Sequence, residues 1–343
     1  MAFSRRAFIA RSALVFGAGA FAPSAIARAM QQTQGAPPPP TLGAPGPQPP
    51  SWQPVFTPMR RNVGYFTGRG GTIGYLIDKG AVVVVDSQYP DSAKACLTGL
   101  NERSKDRGVD LLINTHHHGD HTQGNIVFKG IAKHVLAHER AVELQKQVAA
   151  QPGRAGAPPL PEQLYADRTF TNTWREQLGD EWISGKFYGR AHTSGDITVT
   201  FERANVVHMG DLMFNRRHPV VDRPAGASMK NWISVLEAAA KDHNNDTIYI
   251  FGHAGNQPAP ATGTGAAGPA TPSMFPVTGP RAELMLFRDY LTALLTYVQA
   301  EIKSGKTRDE VVAIRTPLKG FETHGNLNAT ILGNAYDDVT ATT

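Results

Sequence analysis

The chain has 343 residues, 41% of them hydrophobic and 18% charged, enough for one large domain or two small ones with a sizeable core. Its formal charge is +5, but Arg5, Arg6, Arg11 and Arg28 stand in residues 1–29 with no acid beside them, so the remainder carries +1 and implies no nucleic-acid partner. The single cysteine, Cys96, excludes an intramolecular disulfide and a cysteine-based zinc cage.

Residues 1–29 read as an export address. Ser4-Arg5-Arg6-Ala7-Phe8-Ile9 leads into an apolar stretch at 13–22, and 25–29 offers small-x-small cleavage positions. Positive head, short apolar centre and small-residue exit describe a secretory signal. The arginine pair resembles the bacterial twin-arginine signal, so the export machinery is an expected partner and the periplasm or exterior the expected location. The apolar run is too short for a permanent membrane span. Residues 30–54, mostly QQTQGAPPPPTLGAPGPQPP, form a proline-rich linker without a packable face.

From 55 to 343 a folded domain is expected, with inserts at 151–165 and 255–280 and helices at its C-terminal end. Strands at 62–66 and 72–77 flank the glycine-rich tip 68–71, which is either a flap over substrate or an ordinary tight hairpin. The β-branched run at 81–85 suits a strand buried on both faces and ends at Asp86. A helix at 91–103, with Cys96 as a small buried apolar residue, precedes strands at 109–114 and 131–136 and a helix at 139–149. Alternation predicts antiparallel strands at 168–174 and 181–188, and 197–201 with 205–208 forms a hairpin. A helix at 228–240 and a strand at 247–251 follow. The helix at 281–303 carries an apolar stripe of Leu284, Phe287, Leu291, Leu294, Leu295, Val298 and Ile302. Strands mixed with helices in both halves suggest two sheets between helix layers.

The strand at 109–114 runs into THHHGDHTQGN, residues 115–125, with four histidines and one aspartate. In an extended loop His116 and His118 face one way and His117 the other. Gly119 lets the chain bend, so Asp120 and His121 can meet a second ion. Three more donors lie just past expected strands: His192 in GRAHTSGD, Asp211 in VVHMGD and His253 in IFGHAG. Strand ends bring loop residues to a common point, and a nearby glycine permits close approach. The set suits two ions: His116, His118 and His192 on one, Asp120, His121 and His253 on the other, with Asp211 bridging. Imidazole and carboxylate donors without thiolate fit zinc, iron and manganese being the other options. His134, His138, His208, His218, His243 and His324 are isolated and read as surface or capping residues.

With H-x-H-x-D-H at 116–121, then GRAHTSGD, GDLMFN and GHAG in that order, residues 62–255 resemble the metallo-β-lactamase-fold superfamily. The resemblance implies an α/β four-layer αβ/βα sandwich. It gives Asp86 the role of orienting the ligand loop from behind. It implies a dinuclear zinc hydrolase whose bridging hydroxide cleaves an ester, thioester, lactone or lactam-type bond in a small-molecule substrate. Asp120 would orient that hydroxide or pass on its proton. No G-x-S-x-G nucleophile is found. True β-lactamases of this pattern carry cysteine or serine where Asp211 stands, which leans towards the ester-cleaving branches, while export keeps a β-lactamase proper as the alternative. A mononuclear iron dioxygenase acting on persulfides shares the fold and is the reading from another class. Arg216, Arg217 and His218 follow Asp211 closely and are the expected receivers of an anionic substrate group. The insert at 255–280 is either a lid or an excursion.

Overall fold

The computed structural model of the chain describes residues 52–151, 162–255 and 274–341. The segment expected to direct export, most of the expected linker and the centres of both expected inserts lie outside the described residues.

The first sheet takes seven strands in chain order: β1 (Val55–Pro58), β2 (Val63–Thr67), β3 (Ile73–Ile77), β4 (Val82–Val85), β5 (Val109–Asn114), β6 (Ala132–His138) and β7 (Arg168–Phe170). Pairing is antiparallel up to β4 and parallel from β4 to β7. The parallel part needs crossovers, which include α1 (Pro90–Ser104), the single turn α2 (Gly119–Thr122) and α3 (Glu139–Ala150). Proline at the first turn starts α1, and Lys105 in a left-handed conformation ends it.

The second sheet is built from β8 (Thr173–Leu178), β9 (Glu181–Phe187), β10 (Ile197–Phe201) and β11 (Val206–His208). After the short strand β12 (Phe214–Asn215), the chain returns to this sheet with β13 (Ile248–Ile250) and, beyond β14 (His253–Ala254), with β15 (Thr278–Gly279). The order across it is β15-β13-β11-β10-β9-β8, and β12 pairs with β14 in a small parallel ladder. Helices α4 (Met229–Lys241), α5 (Arg281–Lys303), α6 (Arg308–Val312) and α7 (Ala329–Thr340) complete the described chain. No helix among the described residues is long and apolar enough to cross a membrane.

Three apolar cores separate four layers. Val82 and Val84 pack with Ala93, Cys96 and Leu100 of α1, while Val83 and Val85 face Ile183, Ile197, Phe201 and Ile250 of the other sheet. This is why the valine run is unbroken: successive side chains of a strand point to opposite faces, and both faces are covered. On the far side, Val207, Tyr249 and Phe251 meet Trp232, Leu236, Phe287, Leu291, Leu294 and Leu332. The α/β sandwich expected from the alternation of elements is the architecture found. Cys96 is fully buried, and burial raises its thiol pKa.

One expected strand divides. Residues 168–174 are β7 in the first sheet and the start of β8 in the second. The chain changes sheets at Thr171 and Asn172, whose carbonyls accept from His138 Nε2 (2.6 Å) and the Phe187 amide (2.9 Å). Alternation persists through such a crossing because both flanks stay extended, so the pattern does not report the change of partner. His138 is a capping residue, its Nδ1 accepting from the Arg140 amide at the start of α3. His138, His208 and His324 are all buried rather than at the surface.

Candidate metal centre

The 115–121 segment leaves β5 and folds over Asp86, which ends β4. Asp86 is fully buried and holds a left-handed φ of 65°, a strained conformation for a residue with a side chain. Its Oδ1 accepts from the Thr115 amide at 2.8 Å, and its Oδ2 accepts from Thr115 Oγ1 at 2.8 Å and His121 Nδ1 at 2.7 Å. One carboxylate therefore sets both ends of the loop. The glycine-rich tip is fastened to the same structure. Gly71 donates to the Asp120 carbonyl at 3.0 Å, Arg69 pairs with Asp91 at 2.9 Å, and Ser92 Oγ donates to the Arg69 carbonyl at 3.0 Å. At Gly71 a Cβ would lie 2.1 Å from the His121 ring, so only glycine lets the tip close on the imidazole.

The outer nitrogens of His116, His118, His121 and His192 each have a partner that decides the tautomer. An ionised carboxylate only accepts, so His121 carries a proton on Nδ1, and Nε2 is the nitrogen it turns inward and can offer to a cation. Thr115 spends its hydroxyl hydrogen on Asp86, so its lone pair meets His116 Nδ1 at 3.1 Å and the bare nitrogen of His116 is Nε2. His192 Nδ1 donates to the Val220 carbonyl at 2.7 Å, and His118 Nε2 to Asp222 Oδ2 at 2.8 Å. Four ring nitrogens, one from each of His116, His118, His121 and His192, then face inward.

The later ligand candidates arrive from the second sheet. His192 sits in a turn held by Asp196, which accepts from the Thr193 amide (2.7 Å) and hydroxyl (2.8 Å). Asp211 follows β11, and a Cβ on Gly252 would lie 2.1 Å from its Oδ1. Trp232 Nε1 donates to the Leu212 carbonyl at 3.0 Å, bracing the Asp211 turn. His253 stacks on Phe214, centroids 5.4 Å apart and planes 18° apart. His116, His118, His192 and Asp211 each place a donor atom within 4.8 Å of the others, and so do Asp120, His121 and His253. Asp211 lies between the groups: Oδ1 is 3.1 Å from His121 Nε2, and Oδ2 is 3.5 Å from both His192 Nε2 and His253 Nε2 and 3.9 Å from His116 Nε2. Asp120 Oδ2 is 3.0 Å from His253 Nε2.

These side chains fit a cation. His116 Nε2 is buried without a hydrogen-bond partner among the described residues, and Asp211 Oδ1 has His121 Nε2 beside it at 3.1 Å. His118 Nδ1 and His192 Nε2 face each other at 2.8 Å, an arrangement of two lone pairs that repels unless positive charge lies between them. Burial, followed by the neighbouring His121, lowers the His116 pKa, and burial pushes His192 down to about 3, the neutral state a metal ligand needs. Burial opposes charge on His121 too, but Asp211, Asp120 and Asp86 outweigh it and raise its pKa. Three carboxylates thus call for positive charge in this pocket.

His117 points away from the convergence point, its ring 6.4 Å from His116. Arg216 and His218, expected to meet substrate, are engaged elsewhere. Arg216 pairs with Glu283 of α5, and His218 binds the Tyr290 hydroxyl (2.6 Å) and the Asn326 carbonyl (2.9 Å). Arg217 is exposed, with no ion pair among the described residues and its guanidinium 5.9 Å from the centre of the Phe214 ring. Two supporting residues were missed in the sequence. Asp222 has no spacing relation to any ligand. His208, taken for a surface or capping residue, is buried, donates to the Thr72 carbonyl at 3.0 Å and accepts from the Gly210 amide at 3.1 Å, next to Asp211.

A family profile described as the metallo-beta-lactamase superfamily matches residues 67–253. The chain is 25% identical over 199 residues to a metallo-beta-lactamase type 2 of Bacillus cereus, covering 57% of this chain and 72% of that protein. It is 28% identical over 171 residues to the 2,4-dinitroanisole O-demethylase subunit alpha of Nocardioides sp. (strain JS1661), covering 48% of each. Among solved structures, a metallo-beta-lactamase from Pontibacter korlensis aligns with TM-score 0.52 and 16% identity over 70% of this chain and 99% of that one. A sec-alkylsulfatase from Pseudomonas sp. aligns with TM-score 0.58 and 15% identity over 83% of this chain and 50% of that one. At such identities the structural likeness speaks for the fold alone.

Proposed function

The chain belongs to the metallo-β-lactamase superfamily, a family of metal-dependent hydrolases, and we propose that it is an exported dinuclear zinc hydrolase of an ester, thioester, lactone or lactam-type bond. The observation that carries this reading is the pair of three-donor groups flanking the buried Asp211. His116, His118 and His192 would hold one zinc, Asp120, His121 and His253 the other, and Asp211 would bridge. A zinc pair there would supply a water acidified towards hydroxide near neutrality and a Lewis acid for the attacked group. The residues do the rest. Asp86 and Thr115 keep the imidazoles of His116 and His121 aimed. Asp120 is a quarter exposed at the mouth. Burial opposes its charge, but His121 and His253 outweigh that and hold its pKa at about 2, so the carboxylate stands ionised and can accept a hydrogen bond that orients the attacking water.

Asp211 in place of a cysteine or serine favours esters and thioesters over lactams. The relatives named for β-lactams, alkyl sulfates and O-demethylation widen the substrates worth trying. Arg217 is the member of the Arg216–His218 trio left to receive an anionic group. The twin-arginine segment would place the reaction in the periplasm or outside the cell.

The test is a screen of the zinc-loaded protein against a chromogenic cephalosporin, a thioester, a lactone, an aryl phosphodiester and an aryl sulfate. Two zinc per chain and chelator-sensitive turnover are expected. Asp120→Asn should lower kcat by about 10²–10⁴-fold on the substrate that is cleaved. One iron per chain with oxygen uptake would replace hydrolysis with the dioxygenase reading.

A further inference from the structure

We propose that Asp222 is a positioning residue that sets His118 and His192 against each other for one of the two metals, as Asp86 does for His116 and His121. This rests on the dinuclear reading above.

The short segment 220–222 touches both imidazoles. The Val220 carbonyl accepts from His192 Nδ1 at 2.7 Å, the Asp222 amide donates to the His192 carbonyl at 3.2 Å, and Asp222 Oδ2 accepts from His118 Nε2 at 2.8 Å. Ring and backbone of His192 and the ring of His118 are thereby referred to one three-residue frame. That frame is stiff. The Asp222 carbonyl accepts from the Ala225 and Ala227 amides at 3.0 Å each, and its Oδ1 from the Ala225 amide at 3.2 Å. The turn is stitched to the His192 segment by Ser194 N to the Ala225 carbonyl and Ser228 N to the Ala191 carbonyl, both 2.9 Å. The next residue, Arg223, pairs at 3.0 Å with buried Asp338 of α7, whose other oxygen accepts from the Lys230 amide at 2.8 Å. The last helix therefore anchors the segment.

The chemistry follows from the tautomer argument. A carboxylate on Nε2 keeps the His118 proton there, leaves Nδ1 bare and makes that nitrogen more basic. An amide in its place can present its NH2 to the ring instead of an oxygen, which releases both constraints. His117 Nε2 lies 3.6 Å from the same Oδ2, so without His118 the carboxylate has a second imidazole to turn to.

The experiment measures the two zinc affinities of the mature-length protein by chelator competition, for wild type, Asp222→Asn and Asp222→Glu. The absorption of the cobalt-loaded proteins and the unfolding midpoints of the metal-free proteins are recorded alongside. Asp222→Asn should weaken one zinc by about 10–100-fold, leave the other within about twofold and alter the cobalt bands. Asp222→Glu, which restores the charge, should recover part of the loss. Two unchanged affinities overturn the proposal. So does a metal-free Asp222→Asn protein that fails to fold, because the residue is then part of the scaffold. A wild type that binds no metal sinks the hydrolase reading instead, which separates the two failures.

Discussion

His116, His118, Asp120 and His121 reach the candidate metal centre from six consecutive residues, whereas His192, Asp211 and His253 come singly from beyond β9, β11 and β13. The two ends of the first set share one support, since Asp86 accepts from Thr115 twice and from His121, while His118 between them leans on Asp222. The second set has separate supports: the Val220 carbonyl for His192, the Trp232-braced turn for Asp211 and the Phe214 ring for His253. The contrast teaches that one buried carboxylate can tie both ends of a loop together, while residues at strand ends are held one at a time.

Substitution of the shared support should do the most damage. Asp86→Ala orphans three buried donors, each costing about 1–3 kcal/mol. We expect an unfolding free energy lower by roughly 5 kcal/mol in denaturant titrations of the metal-free protein, and loss of both zinc ions by metal analysis. Retention of one full-affinity zinc would show that the loop is not a unit. Phe214→Ala removes a buried ring and should cost about 3 kcal/mol. It touches His253 and His192 rather than the loop, so the zinc on the His253 side should weaken more than the other. Equal weakening would mean that His192, 5.6 Å from the Phe214 ring, depends on it as much as the stacked His253 does. The smallest effects separate two neighbours. Arg216→Ala breaks a partly buried pair with Glu283 and should cost about 1 kcal/mol. Arg217→Ala should change stability by less than about 0.5 kcal/mol and raise KM for an anionic substrate only. Equal destabilisation by the two would mean that Arg217 also belongs to the scaffold.

The same contrast explains what was readable before the structure. The histidine-rich loop is legible because its geometry is local: residues two apart in an extended segment share a side whatever the rest of the chain does. Val82–Val85 is legible for a similar reason, since an unbroken β-branched run demands cover on both faces. His192, Asp211 and His253 stood out more weakly, each as a donor with a glycine after an expected strand. Asp222 was invisible, because its value as an acceptor exists only once residue 222 folds back beside residues 118 and 192. His208 was misread for the same reason, its partners Thr72 and Gly210 lying on either side of the sheet-to-sheet contact.

The amino-acid sequence by itself determined the layered α/β architecture, and it named the candidate donors and the nitrogen-and-oxygen chemistry they offer, because periodicity and side-chain type are properties of short stretches. Only the tertiary structure decided which nitrogen of each imidazole faces inward, which carboxylate stands behind it, and that Arg216 serves α5 while Arg217 stays exposed. Those outcomes depend on hydrogen-bond partners brought from distant segments, and a hydrogen bond acts over about 3 Å of space regardless of separation along the chain.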